Sequence, residues 1–323
     1  MSIPSNTGYM MLAKQTAQGV VATPSIGIAY LDDGANIAMD YQFQNNGEDI
    51  AVNAIKMKHT EKFACGVNAR PDTIAYLLAY ILGADSVAGG GDPYTHTLTR
   101  ADLGRPWLTF ERGLNATLQQ RLYDCKISKL SLSGVAGQPI KAAIEGDALG
   151  VVLRTTALTP TYERREPFSF YDGNARFSYA GVVIDTIKRF QIDMTVDALG
   201  GLQNGEYEVV DLPDFSFNVD VQLEFFPDTF TNWKNVAYGG GTARAENIYT
   251  AALDFDFRYT ESAADDRQLK FAIPSVMYKS IGGNTLTSGA GTMTENIAGV
   301  AQKLATTELI TYTVKNSLAA DLI

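Results

Sequence analysis

Apolar and polar residues alternate along most of this chain, and that period of two predicts a protein built mainly from β-strands. The clearest runs lie at 54–63, 107–111, 126–132, 140–144, 168–170, 187–196, 215–225, 253–259, 269–278 and 310–314. In Phe217-Asn218-Val219-Asp220-Val221-Gln222, for example, every second side chain is apolar. Successive strand residues point to opposite faces, so such a run offers one face to a core and the other to water. Strands of this kind pack as sandwiches or open barrels.

One stretch changes period. Pro71-Asp72-Thr73 opens a helix in which Ile74, Leu77, Leu78, Ile81 and Leu82 form the apolar stripe and Gly83 marks the stop. Proline suits the first helical position, an acid there complements the helix dipole, and glycine adopts the left-handed conformation that ends a helix. The device recurs. Pro227-Asp228-Thr229 leads into Phe230, Trp233, Val236 and Ala237 and stops at Gly239. Each helix follows an alternating strand and precedes a glycine-rich loop, 88–92 or 239–242, and then two more alternating strands. The shared order predicts an internal duplication. The units are 1–165 and 166–323, each a mainly β (α+β) sandwich domain with one flanking helix.

Residues 32–49 and 199–214 are acidic and contain Gly and Asn without strong periodicity, and 282–299 is rich in Gly, Thr and Asn. They read as long surface loops or loose hairpins, where contacts between molecules tend to be made. Asp32, Asp33, Asp40, Glu48 and Asp49 are therefore candidate assembly contacts, together with the N-terminal arm 1–24.

Charge and motifs narrow the chemistry. The formal net charge of −10 argues against a surface that grips phosphate. His59 and His96 lie far apart without metal-ligand spacing, and Gly89-Gly90-Gly91 runs into Asp92-Pro93, a hairpin connection rather than a phosphate loop. Glu111 with Asp254 and Asp256 has the residue types of a glycosidase pair, but each fits the solvated face of a strand. Asp265-Asp266 reads as a turn. Arg121 and Arg164-Arg165-Glu166 read as salt-bridge partners at subunit contacts. No catalytic, metal or cofactor site emerges. Cys65 and Cys125, with no CxxC pair, read as small buried residues of a reduced protein. Residues 1–13 lack a signal-peptide pattern and no apolar run has the length of a spanning helix, which predicts a soluble cytoplasmic product without membrane insertion.

Several segments resemble the tail tube proteins of long-tailed bacteriophages. They are Ala13-Lys14-Gln15 through Gly19-Val20-Val21-Ala22-Thr23-Pro24, Arg70-Pro71-Asp72 through Gly83, Pro93-Tyr94-Thr95-His96-Thr97 and Pro106-Trp107-Leu108-Thr109-Phe110-Glu111. Tyr123 through Leu132 with Gly137-Gln138-Pro139, Ile187 through Ile192, and Leu269 through Pro274 followed by Tyr278 continue the likeness. The resemblance implies a structural virion protein, not an enzyme, whose sheets join side by side into a ring with an inner β-barrel. It implies rings stacked into a siphovirus-like tube for genome delivery, with an acidic lumen through which DNA passes without specific binding. Tape-measure, tail terminator and distal tail proteins are the implied partners, and the virion tail, after assembly in the host cytoplasm, is the implied location. Family rings present six wedges, so a duplicated chain implies a trimer with pseudo-sixfold symmetry. Other classes stay open: a baseplate, distal tail or head–tail ring component, an outer-membrane β-barrel, or a carbohydrate-active β-sandwich enzyme.

Overall fold

The computed structural model describes residues 8–33, 36–44, 53–101, 104–170, 176–179, 182–183, 186–197, 201–202, 209–226, 231–238, 248–260, 266–282 and 294–323. Strands β1 (Tyr9–Lys14), β2 (Ile26–Ile28), β3 (Tyr30–Asp33), β4 (Asn36–Gln44) and β5 (Asn53–Asn68) precede helix α1 (Pro71–Leu82). β6 (Gly83–Ala88), β7 (Tyr94–Arg100), β8 (Leu108–Asn115), β9 (Leu118–Val135) and β10 (Lys141–Arg154) complete the first half. The second half runs β11 (Arg176–Tyr179), β12 (Val182–Val183), β13 (Ile187–Asp197), β14 (Gly201–Leu202), β15 (Val209–Asp211) and β16 (Ser216–Phe225) into helix α2 (Thr231–Tyr238). It ends with β17 (Thr250–Thr260), β18 (Asp266–Gly282), β19 (Glu295–Ala301) and β20 (Thr311–Asn316). The protein is mainly β, as the alternation predicts.

Eighteen strands form one sheet network, and β14 and β15 pair separately. In the first half neighbours run β2-β1-β8-β9-β10-β5, with β3 and β4 sharing the outer edge of β5. In the second half they run β12-β11-β17-β18-β19-β16-β13. The two orders match position by position, with a helix after β5 in one and after β16 in the other.

α1 forms as its sequence predicts. Pro71 occupies its first turn, and Gly83 ends it at φ 88°, where its N–H donates to the Ala79 carbonyl. Every residue of the helix except Asp72 and Tyr76 is buried. A helix without charge beyond its first turn can be covered on all sides, and this one packs against β7, β9 and β20. The apolar faces of the strands meet it in one continuous core that spans both halves. Cys65 and Cys125 are free thiols buried in that core. α2 starts at Thr231 among the described residues; Pro227, Asp228 and Thr229 lie outside them.

Two expectations need adjustment, and one resolves toward its hairpin alternative. The run 168–170 is not a strand: Ser169 makes only an isolated bridge to Pro139. Phe168 instead fills the core while its backbone bonds Ala69 and Ile140. The acidic stretch 32–49 contains a hairpin arm, β4 paired along β5. The glycine-rich stretch 282–299 ends in β19, which bridges β16 and β18.

Candidate assembly interface

Among the described residues two ladders join the halves. In the first, β13 lies along the second part of β9, with Arg189–Thr195 opposite Lys129–Val135. Alternation sorts the side chains at this seam. Met194 and Ile192 face Leu130 and Leu132 on the buried side. Phe190 sits over Gly134, at the centre of an aromatic group with ring centroids 4.5 Å from Phe255, 5.6 Å from Phe257 and 6.2 Å from Phe271.

The opposite face is polar and open. Across it Asp220, Asp193, Ser131 and Ala143 stand in register on β16, β13, β9 and β10. The next rows are Gln222, Gln191, Ser133 and Lys141, and Asn218, Thr195, Lys129 and Glu145. All are exposed or half-buried. Asp193, Asp220, Glu145 and Glu224 share the face with Lys129, Lys141 and Arg189. It is therefore polar and close to neutral.

The second ladder pairs β20 with β7, Thr311–Asn316 against Tyr94–Thr99. His96, fully buried here, places Nδ1 2.8 Å from Asp85 Oδ2 and Nε2 2.9 Å from the Leu318 carbonyl. Both ring nitrogens thus face oxygen. The Leu322 N–H donates to the same Asp85 oxygen at 2.9 Å, which fixes the C-terminal segment to the β6–β7 hairpin. His96 is a structural histidine, and no metal-ligating cluster forms around it among the described residues.

The predicted helix start carries the next junction. Arg70 supplies no side-chain cap to α1. Glu163 does so from a distant segment: its carboxylate accepts from the backbone N–H of Asp72 at 2.9 Å and of Thr73 at 2.8 Å, and from the Thr73 hydroxyl at 2.9 Å. Burial raises the Glu163 pKa, and these bonds only partly offset it. Asp72 faces away from its helix, accepting from the Ser317 N–H at 3.0 Å and from Arg165 at 3.2 Å. Buried Arg267 donates to Asp92 at 2.6 Å, and Arg165 also approaches Asp92. Asp72 and Thr73 thus tie α1 to the inter-half segment and to the C-terminal segment.

A fourth junction closes the 199–214 stretch. Asp214 is held by Arg105 at 2.6 Å, Lys126 at 3.6 Å and Arg100 at 3.9 Å. Burial alone would raise its pKa; the Arg105 hydrogen bond and the surrounding positive charge outweigh it and hold the carboxyl low. Burial pushes Lys126 the other way, below the usual lysine value. Its ammonium donates to the Leu212 carbonyl and lies 4.4 Å from the Trp107 ring centroid.

Arg121 and Arg165 both have ion-pair partners within the chain. Arg121 reaches Glu111 at 2.6 Å, and Glu111 also holds Arg154 and the Tyr9 hydroxyl. Burial, followed by the neighbouring carboxylate, pushes the Tyr9 hydroxyl up to about 12. Glu111 is thus a buried ion-pair partner, while Asp256 is bonded by Gln268 on β18. Glu111 lies on the buried side of the sheet, not on the solvated strand face expected of it.

Of the candidate assembly acids, Asp32 accepts from the Gly66 N–H and Asp33 pairs with Arg112 at 2.9 Å, both at the β3–β5 edge. Asp40 lies on β4, and Glu48 and Asp49 fall outside the described residues. Glu163 and Asp214 were not singled out by the sequence. Their only local signal is an acid in a segment without periodicity.

No curated protein matches this chain. The family model described as phage tail tube protein matches residues 5–301, almost the whole sequence. With its mainly antiparallel β architecture, the chain belongs to the phage tail tube protein family.

Proposed function

We propose that this chain is the repeating subunit of a tail tube, with two tandem units, 1–165 and 166–323, standing as neighbouring wedges of one ring. Three chains close a ring of pseudo-sixfold symmetry, and rings stack into the channel that delivers the genome. The observation that supports this reading is the β9–β13 seam, which carries one polar sheet face unbroken from one half to the other. That face lines the channel. Its near-balance of acids and bases replaces the acidic lining expected from net charge: hydrated amides, hydroxyls and mixed charges give DNA nothing to hold.

The acidic segment that carries Asp32, Asp33, Asp40, Glu48 and Asp49 makes the contacts between stacked rings. Deleting residues 40–49 leaves rings that no longer stack. Tape-measure, terminator and distal tail proteins meet the tube in the virion tail, after assembly in the host cytoplasm.

Electron microscopy of the purified protein at rising concentration tests the reading. It requires hollow, striated polymers with three chains per ring and superposable halves. Six chains per ring would leave one half as an outward decoration. A protein that never polymerises is not a tube subunit.

A further inference from the structure

The buried ring of His96 has an acceptor at each nitrogen. Nδ1 lies 2.8 Å from Asp85 Oδ2, and Nε2 lies 2.9 Å from the Leu318 carbonyl. A carbonyl oxygen accepts and never donates, and a carboxylate does the same. A neutral imidazole carries one N–H, so either tautomer would set a lone pair against an oxygen at hydrogen-bond distance. The side chains of His96 and Asp85 are both fully buried, so bulk water does not separate them. Only the imidazolium, with two N–H groups, satisfies both contacts. A proton on Asp85 fits less well. Its Oδ2 already accepts from the Leu322 N–H at 2.9 Å, and its buried Oδ1 has no partner among the described residues to receive one.

These bonds fasten one segment. After β20, the Ser317 N–H donates to Asp72, the Leu318 carbonyl meets His96, and the Leu322 N–H meets Asp85. Leu322 is buried in the core and Leu318 packs against it. Ala319, Ala320 and Asp321, between them, are exposed. The segment 317–323 is therefore a strap pinned at its two leucines, with the His96–Asp85 pair under both pins.

Few other ionisable groups belong to the elements packed here. Asp85 is the one on β6. β20 brings Tyr312 on the buried side, and its Lys315 pairs with Asp266 instead. Beyond Asp72, α1 brings Tyr76 and Tyr80. Burial raises all three phenols, so they stay neutral where a histidine titrates. The strap itself holds only the exposed Asp321. One proton on His96 thus decides the charge balance under the strap.

We infer that residues 317–323 form a strap closed by a proton: His96 is an imidazolium in the folded protein, and its second N–H holds Leu318 in place. When the ring loses that proton, its remaining N–H stays on the Asp85 carboxylate, the stronger acceptor. The Leu318 carbonyl then faces a lone pair and is released, which uncovers two apolar side chains while β20 stays paired with β7. The sign follows from the proton count. The strap is closed below the titration of His96 and opens as pH rises through it.

Two measurements on the wild-type chain test this. The sequence has two histidines, so labelling histidine with 15N gives signals from His59 and His96 alone, and His59→Gln assigns them. At neutral pH both ring nitrogens of His96 are expected to show the shift of a protonated nitrogen. One protonated and one lone-pair nitrogen would overturn the inference. Hydrogen exchange of the peptide that covers 317–323, corrected for the intrinsic rate, reads the strap. Its protection should fall about tenfold per pH unit once the His96 ring titrates, while that of β20 holds. Protection that ignores the titration, or that β20 loses equally, would refute a strap that opens by itself.

Discussion

Phe190 and Gly134 meet across the seam between the halves: a β-carbon on Gly134 would stand 2.2 Å from the Phe190 ring. The ring cannot retreat, because Phe255 and Phe257 pack behind it. Gly134→Val therefore overpacks the junction and is expected to cost about 1–3 kcal/mol, the usual range for added core volume. Denaturant melts of the monomer measure this directly. A variant as stable as the wild type would mean that the seam is looser than its geometry.

Glu163 takes the place of a local helix cap. Glu163→Ala leaves the Asp72 and Thr73 N–H groups unpaired at a helix start, with an expected loss of about 1 kcal/mol. Its pH dependence has a definite sign. The folded-state pKa is raised above the ordinary 4.5, so its stabilising contribution is complete below that value and is lost as pH rises through the folded pKa. Glu163→Gln removes this loss. Urea melts across pH 4–8 should show the wild type falling relative to Glu163→Gln with rising pH; parallel curves would contradict the assignment.

Asp214 carries the opposite sign. Its carboxyl is held below the ordinary 3.8, so its contribution is present above that pH and disappears as pH falls through the folded value. Asp214→Asn leaves Arg100, Arg105 and Lys126 facing one another with Arg105 buried. Removing one partner from such a buried group is expected to cost roughly 3 kcal/mol. Thermal melts at neutral pH check the magnitude, and faster proteolysis within 199–214 checks the location.

The polar sheet face proposed to line the channel yields a prediction about infection. Asp193→Lys with Asp220→Lys shifts a near-neutral lining toward positive charge, which attracts DNA phosphates. Genome ejection should slow, and more at low salt than at high salt, because the screening length shrinks as salt rises. Equal rates at all salt concentrations would place these residues away from the lumen.

The legible parts of this fold were those whose signal is local. Pro71 and Gly83 bracket α1 because helix ends depend on backbone chemistry that sequence displays. Runs such as 187–196 and 215–225 appear as β13 and β16 because each has one side in the core. β9 is longer than its alternating stretch because Gln119, Gln120 and Arg121 are buried polar residues, which hide the period. β3 and β4 are not legible in the sequence because acids and amides interrupt their pattern. Glu163 and Asp214 are partnered by residues 90 or more positions away, or by a three-cation group that only the fold assembles. The shared strand order of the halves shows in the sequence only as a tripeptide and an order of elements, because strand neighbours lie far apart along the chain.

The two thiols have a consequence for the particle's life outside the cell. Burial pushes the Cys65 thiol up to about 12 and the Cys125 thiol higher still, so neither carries appreciable thiolate at neutral pH. Oxidation and disulfide exchange proceed through the thiolate and require access. A tail subunit whose two thiols are held in this way can therefore stand in aerated water without thiol chemistry cross-linking it to its neighbours.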